Sequence, residues 1–134
     1  LMAVNEAKEW IRSVTRVSLP SSKKEFEASL ADGVILCKLF NEIANSLGLA
    51  QIQIVPADKL SYKRIENINA FLDACRSFGL SSAELFEPID LFEQKRFPKV
   101  IHCLRALSRN AAVKGFSKQI MQKFYDLRSR KVLF

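Results

Sequence analysis

The stretch that most restricts the fold is "LADGVILCKLF", residues 30–40. Val34, Ile35, Leu36 and Cys37 are apolar without a break, so the alternation of a half-buried strand fails there. From Phe26 the apolar positions run on as Leu30, Val34, Cys37, Phe40, Ala44 and Leu47, and Gly48 closes them. This spacing predicts helix for about five turns, far beyond the ~5–6 residues of a typical strand. A helix that is apolar over most of its circumference has to lie among other helices. The chain is therefore expected to be all-α, built round this segment. Asp32-Gly33, a dipeptide common in tight turns, is expected at the entry and first turns of that central helix, as a packing and capping device. Gly33 would let another backbone approach, and Asp32 would accept hydrogen bonds near the helix N-terminus. A phosphate- or metal-handling turn is not expected, because no glycine-rich loop, lysine-serine pair or second carboxylate cluster accompanies it.

Three further segments carry helical spacing. The first holds Val4, Ala7, Trp10, Ile11 and Val14; another holds Ile65, Ile68, Phe71, Leu72, Cys75 and Phe78, with Gly79 at the C-cap position. Pro98 opens the last, at its first position, with Val100, Ile101, Leu104 and Leu107 as the buried stripe. Ser81-Ser82-Ala83-Glu84 has capping-box spacing and predicts a short helix. Ile52-Gln53-Ile54-Val55 alternates but is too short to build a sheet. The expectation is a compact bundle of four main helices plus short connecting helices.

At 134 residues the chain is one domain by size, and 49% apolar with 26% charged residues is ordinary for a globular protein. No segment approaches the ~18–20 consecutive apolar residues of a membrane span. The start, LMAVNEAKEW, lacks the basic-then-apolar pattern of a secretory signal, so a cytoplasmic protein is expected. Cys37, Cys75 and Cys103 each sit in an apolar run and read as buried reduced thiols, not as a disulfide framework or metal site. The net charge is +7, but residues 1–110 hold 15 Lys and Arg against 13 Asp and Glu, whereas residues 111–134 hold 6 against 1. Most of the basicity is C-terminal, which argues against a whole-domain basic groove.

Four ordered stretches, "EWIRSVT", "LADGVILCKLFN", "IENINAFLDACRSFGL" and "ELFEPIDLFEQKRFPKVIHCLRAL", together resemble the calponin homology domain. The residues that carry the resemblance are Trp10; Leu30, Asp32, Gly33, Leu36, Cys37 and Asn41; Asn67, Ile68, Phe71 and Leu72; and Phe86, Asp90 and Leu91. Of these, Trp10, Asp32, Gly33, Leu36, Asn67, Phe71 and Asp90 are expected to be structural. The match covers roughly residues 3–110, so residues 1–110 are taken as the domain and 111–134 as an extension. The stretch "GLSSAELFEPIDLFEQKRFPKVI" looks most like the single, type-3 domains of calponin, transgelin, the IQGAP proteins and Vav-type exchange factors, and the likeness to Vav is strongest at residues 78–108. The resemblance implies a non-catalytic module without cofactors, associated with the cytoskeleton. Its implied partner is filamentous actin; the alternative is a scaffold or autoinhibitory role toward a neighbouring domain, as in Rho exchange factors. Distant members of the fold bind microtubules, but no residue here points to that.

Actin-binding members use parts of the first and last helices. The resemblance therefore turns attention to Lys8, Arg12 and Arg16, four residues apart on the first helix, and to Lys95, Arg96, Lys99, Arg105 and Arg109 at and along the last. Exposed cations there would speed encounter with an acidic filament. Nucleic acid is not expected, since no aromatic platform is interleaved with these charges. His102, the only histidine, has no partner placed for catalysis, and Glu84, Glu87, Asp90 and Glu93 lack the alternation and glycine of a calcium loop. The extension carries an apolar stripe, Phe116, Ile120, Phe124 and Leu127, with Lys114, Lys118, Lys123, Arg128, Arg130 and Lys131 on other faces. A basic amphipathic helix is expected there, which would dock on the bundle or bind an acidic partner, an anionic membrane or a calmodulin-like groove.

Overall fold

The computed structural model describes residues 2–56, 61–118 and 120, with Met2 and Ser61 as backbone. Among them the order is α1 (Met2–Thr15), α2 (Lys23–Leu30), α3 (Val34–Leu47), α4 (Ser61–Phe78), a single 3-10 turn (Ser82–Glu84), α5 (Pro88–Phe92) and α6 (Phe97–Val113), with no strand. Helix α3 packs against α4, α1 and α2, as expected of the most apolar segment. Its Leu36, Cys37, Leu39, Ile43 and Ala44 are completely buried. None of the described helices is long and apolar enough to cross a membrane.

The expected five-turn helix from Phe26 to Leu47 is a correction. It is two helices, separated at Ala31-Asp32-Gly33. Gly33 has φ +77°, a left-handed conformation that ends one helix and caps the next. The Asp32 carboxylate accepts from the Val34 N–H at 2.9 Å, which satisfies a donor of the first turn of α3. Close approach is also why a glycine stands here: a Cβ on Gly33 would lie 2.8 Å from both Asn67 Cβ and Ile68 N on α4.

Asn67 is completely buried in that contact. Its amide donates to Val55 O at 2.9 Å and accepts from Val55 N at 2.9 Å, pairing the connection as a neighbouring strand would. Asn41 does the same for Ile52, donating to its carbonyl at 2.9 Å and accepting from its N–H. The alternating Ile52–Val55 segment is thus held without a sheet: two side-chain amides pair the backbone groups of Ile52 and Val55.

At the other end of α4, Gly79 (φ +125°) donates to Cys75 O, as the C-cap spacing predicts. Ser81 N–H donates to the Glu84 carboxylate at 2.9 Å, the back-bond of the predicted capping box. The acidic stretch that follows holds a five-residue helix, α5. Asp90 is nearly buried at its third position and accepts from the Glu87 N–H at 2.8 Å. Helix α6 starts one residue earlier than expected, with Pro98 second, and buries Val100, Ile101, Leu104 and Leu107. Edge-to-face pairs Phe26–Phe97 (6.0 Å) and Phe40–Phe78 (5.6 Å) tie α2 to α6 and α3 to α4.

The three cysteines are free and buried. Burial, with Asp32 adding to it, pushes the Cys37 thiol up to about 12, and its Sγ donates to Asn67 O at 3.3 Å. Burial likewise raises Cys75 well above the usual thiol value.

Candidate functional site

The fold divides the eight basic residues singled out above into charges engaged in the bundle and charges left at the surface. Lys8 is half-buried. Its ammonium donates to the carbonyls of Pro20 and Ser21, both at 3.0 Å, and stands 5.7 Å over the Phe26 ring. This cation fastens the α1–α2 connection to α1. Arg105 is similarly committed: its Nη2 donates to Glu6 Oε1 at 3.0 Å, and Glu6 is only 7% exposed. These two depart from the expectation of exposed charge, because each reaches a buried or backbone acceptor on another segment.

The other six are exposed. Arg12 pairs with Glu9 within α1, Lys95 with Glu93 at 3.2 Å, and Arg109 with Glu84 at 3.7 Å. Arg96 Nε is 4.0 Å from the buried Asp90 carboxylate. Where both partners face solvent, such pairs contribute about 0–1 kcal/mol and leave the cation available. Arg16 and Lys99 have no ion-pair partner among the described residues. Arg16 follows the last turn of α1 with φ +63°, a conformation glycine adopts without strain and arginine does not.

These charges do not form one patch. Ala3 and Val4 on α1 face Phe97 and Ile101 on α6, and Glu6 meets Arg105, so the two helices run in the same sense. Lys95, Arg96 and Lys99 therefore sit by the start of α1, whereas Arg12 and Arg16 lie toward its far end, about 14 and 20 Å along it at 1.5 Å per residue.

The first residues of the extension return to the bundle. Among the described residues, α6 reaches Val113, and the chain from Lys114 to Lys118, with Ile120, is irregular and not helical. Phe116 is 8% exposed. The Lys118 carbonyl accepts from the Trp10 indole at 3.0 Å, the Lys118 ammonium donates to Ser13 O at 3.0 Å, and Ile120 N–H donates to the buried Ser108 hydroxyl at 2.9 Å. Lys114 stands 5.1 Å over the Phe78 ring. Trp10 is thus core, as expected, and its N–H finds its acceptor 108 residues away. Lys123, Phe124, Leu127, Arg128 and Arg130 lie outside the described residues.

Of the residues expected to be structural, Leu36, Phe71 and Asn67 are completely buried, and Trp10 and Asp90 nearly so. His102 is exposed. Among the described residues no group of three His, Cys, Asp or Glu side chains could hold a metal ion.

Residues 1–113 match the family model of the calponin homology (CH) domain. The chain is 42% identical over 105 residues to myophilin of Echinococcus granulosus, covering 78% of this chain and 53% of that protein. It is 43% identical over 83 residues to the human guanine nucleotide exchange factor VAV3, covering 60% of this chain and 10% of that one. The chain thus spans about half of one of these relatives and a small part of the other. The crystal structure of the calponin-homology domain of Rng2 from Schizosaccharomyces pombe superposes with a TM-score of 0.76 at 33% identity, covering 89% of this chain and 72% of that one. A structure of autoinhibited Vav1 superposes with a TM-score of 0.68 at 28% identity, covering 96% of this chain and 26% of that one. The family model covers residues 1–113, most of the chain, and the superposed structures share the fold: the chain belongs to the calponin homology domain family.

Proposed function

We propose that the chain is a non-catalytic interaction module of a larger cytoplasmic, cytoskeleton-associated protein and that it contributes to binding actin filaments. The observation that carries this reading is the separation of charges. Lys8 and Arg105 are engaged within the fold, while Arg12, Arg16, Lys95, Arg96, Lys99 and Arg109 stay exposed with weak partners or none. Such cations at both ends of the α1–α6 pair suit an extended acidic surface, and they would add encounter rate and salt-sensitive affinity. The basic residues of the extension add to attraction for the same class of partner. Co-sedimentation of the 134-residue chain with actin filaments at low and moderate salt tests the reading: pelleting that weakens with salt supports it, and no pelleting at low salt ends it.

A second reading is favoured by the superposition on Vav1 in its autoinhibited state over nearly the whole chain. In it, the module folds onto a neighbouring exchange domain of its parent protein and restrains it. Deleting the module would then raise exchange activity, and unchanged activity would sink this alternative.

A further inference from the structure

The segment from Lys114 to Ile120 lies beyond the residues that the family model covers, yet it is built onto the bundle. After α6 the chain reverses at Gly115, whose φ of +107° suits glycine and whose added Cβ would meet nothing within 4 Å. Phe116 is buried in the core, and Ile120 packs against the same cluster. Between them the chain crosses α1. The Lys118 carbonyl accepts the indole N–H of Trp10, and the Lys118 ammonium donates to Ser13 O, both at 3.0 Å. Ile120 N–H closes the crossing on the Ser108 hydroxyl at 2.9 Å. The bond to Ser13 has a particular consequence for α1. Ser13 O is one of the helix's last four carbonyls, and the next donor in helical register would be Val17 N–H. That N–H goes to Thr15 Oγ1 instead, at 3.2 Å. Lys118 thus supplies the missing donor at the turn that carries Arg12 and Arg16.

We propose that this segment is a latch, which opens apart from the bundle and, when closed, holds the end of α1 in the shape that presents Arg12 and Arg16. What fastens it is slight beside the core: two apolar side chains and the three hydrogen bonds to Trp10, Ser13 and Ser108, all beyond a glycine. Elements held by so few contacts open at a lower free energy than the fold as a whole. Opening takes the donor from Ser13 O and the acceptor from Trp10, so the last turn of α1 frays. An acidic surface that binds Arg12 and Arg16 as the closed form sets them favours closure, and closure favours that binding by the same factor. This link to a partner rests on the actin reading above; the latch itself does not.

The test uses the 134-residue chain and two variants that change no charge, Phe116→Ser and Ser108→Ala. Trp10 is the only tryptophan, so its fluorescence reports on the latch directly. Both variants are expected to keep their helical circular dichroism and to shift Trp10 emission to the red. Amide hydrogens of residues 12–17 should exchange at least about tenfold faster in them, while those of residues 65–78 in α4 exchange as in the native chain. Their apparent affinity for actin filaments should fall about fivefold, although every cation is retained. Unchanged emission, unchanged exchange at residues 12–17, faster exchange throughout the bundle, or pelleting equal to the native chain would each overturn the proposal. Should Phe116→Ser lose its helical signal, Ser108→Ala, which removes one hydroxyl, carries the test alone. A native chain that does not pellet ends the actin reading, and exchange and emission then decide the latch by themselves.

Discussion

Replacing Gly33 by alanine tests the contact on which the bundle closes. Two penalties act there. The backbone is at φ +77°, where an L side chain costs roughly 1–2 kcal/mol. The new Cβ would also meet Ile68 N and Asn67 Cβ at 2.8 Å, and backbone cannot move aside as a flexible side chain would. Overpacking of this kind costs about 1–3 kcal/mol. The expected loss is therefore about 2–5 kcal/mol, a large part of the ~5–15 kcal/mol that holds a typical domain. At roughly 3–5 °C per kcal/mol for a domain of this size, the melting temperature should fall by about 6–25 °C. Gly48→Ala supplies the control. Gly48 has φ +73°, but nothing lies within 4 Å of its added Cβ, so it carries the conformational penalty alone. Urea unfolding followed by circular dichroism compares the two variants. Gly33→Ala should be the more destabilised by at least 1 kcal/mol or so; equal losses would refute the claim that close α3–α4 approach, and not φ alone, requires glycine at 33.

Asn67→Ala leaves both polar groups of Val55 without their partner and should cost about 2–4 kcal/mol, measured by the same unfolding assay; a loss under about 0.5 kcal/mol would mean water replaces the amide at no penalty. Arg16→Gly should stabilise the fold by about 1 kcal/mol, by relieving the strained φ, while lowering the fraction pelleted with actin; a variant that loses stability would show that Arg16 packs or pairs in a way its exposure does not suggest. Cys37 holds its proton to about pH 12 when folded, whereas an unfolded thiol releases it near 8.5, so its contribution is complete below about pH 8.5 and declines above it. Stability should fall from about pH 9 upward with a slope approaching 1.4 kcal/mol per unit from this thiol. Cys37→Ala should flatten that slope in urea titrations at successive pH values, and identical slopes would remove Cys37 as a cause.

Much of the bundle can be read from periodicity, since α1, α3, α4 and α6 each carry an apolar stripe long enough to establish helix. The break between α2 and α3 is hidden by that same signal. Leu30 and Val34 are four apart, so the stripe stays in phase across a turn made by one left-handed glycine and one aspartate cap. Helix α5 has five residues, too few for any periodicity to register. Asn41 and Asn67 stand in the family motif, yet their use as strand substitutes depends on a connection folding back over them, which no local pattern encodes. The site divides on the same line. That cations stand along the first and last helices is plain in the sequence. That Lys8 and Arg105 are engaged within the fold is not, because their acceptors at Pro20, Ser21 and Glu6 are 12, 13 and 99 residues away. The one cue available was Glu6, which sits off the apolar stripe yet only four residues from Trp10 and is buried with it.

The most direct test of the central proposal is the fraction of protein pelleted with actin filaments at low salt. It should be measured for the native chain and for the triple variant Arg12→Glu/Arg16→Glu/Lys99→Glu, whose substitutions are all on exposed side chains. The account predicts that the native chain pellets, and that the variant stays in the supernatant with its helical circular dichroism intact. A native chain left in the supernatant, or a variant that pellets as well as the native chain, would contradict it.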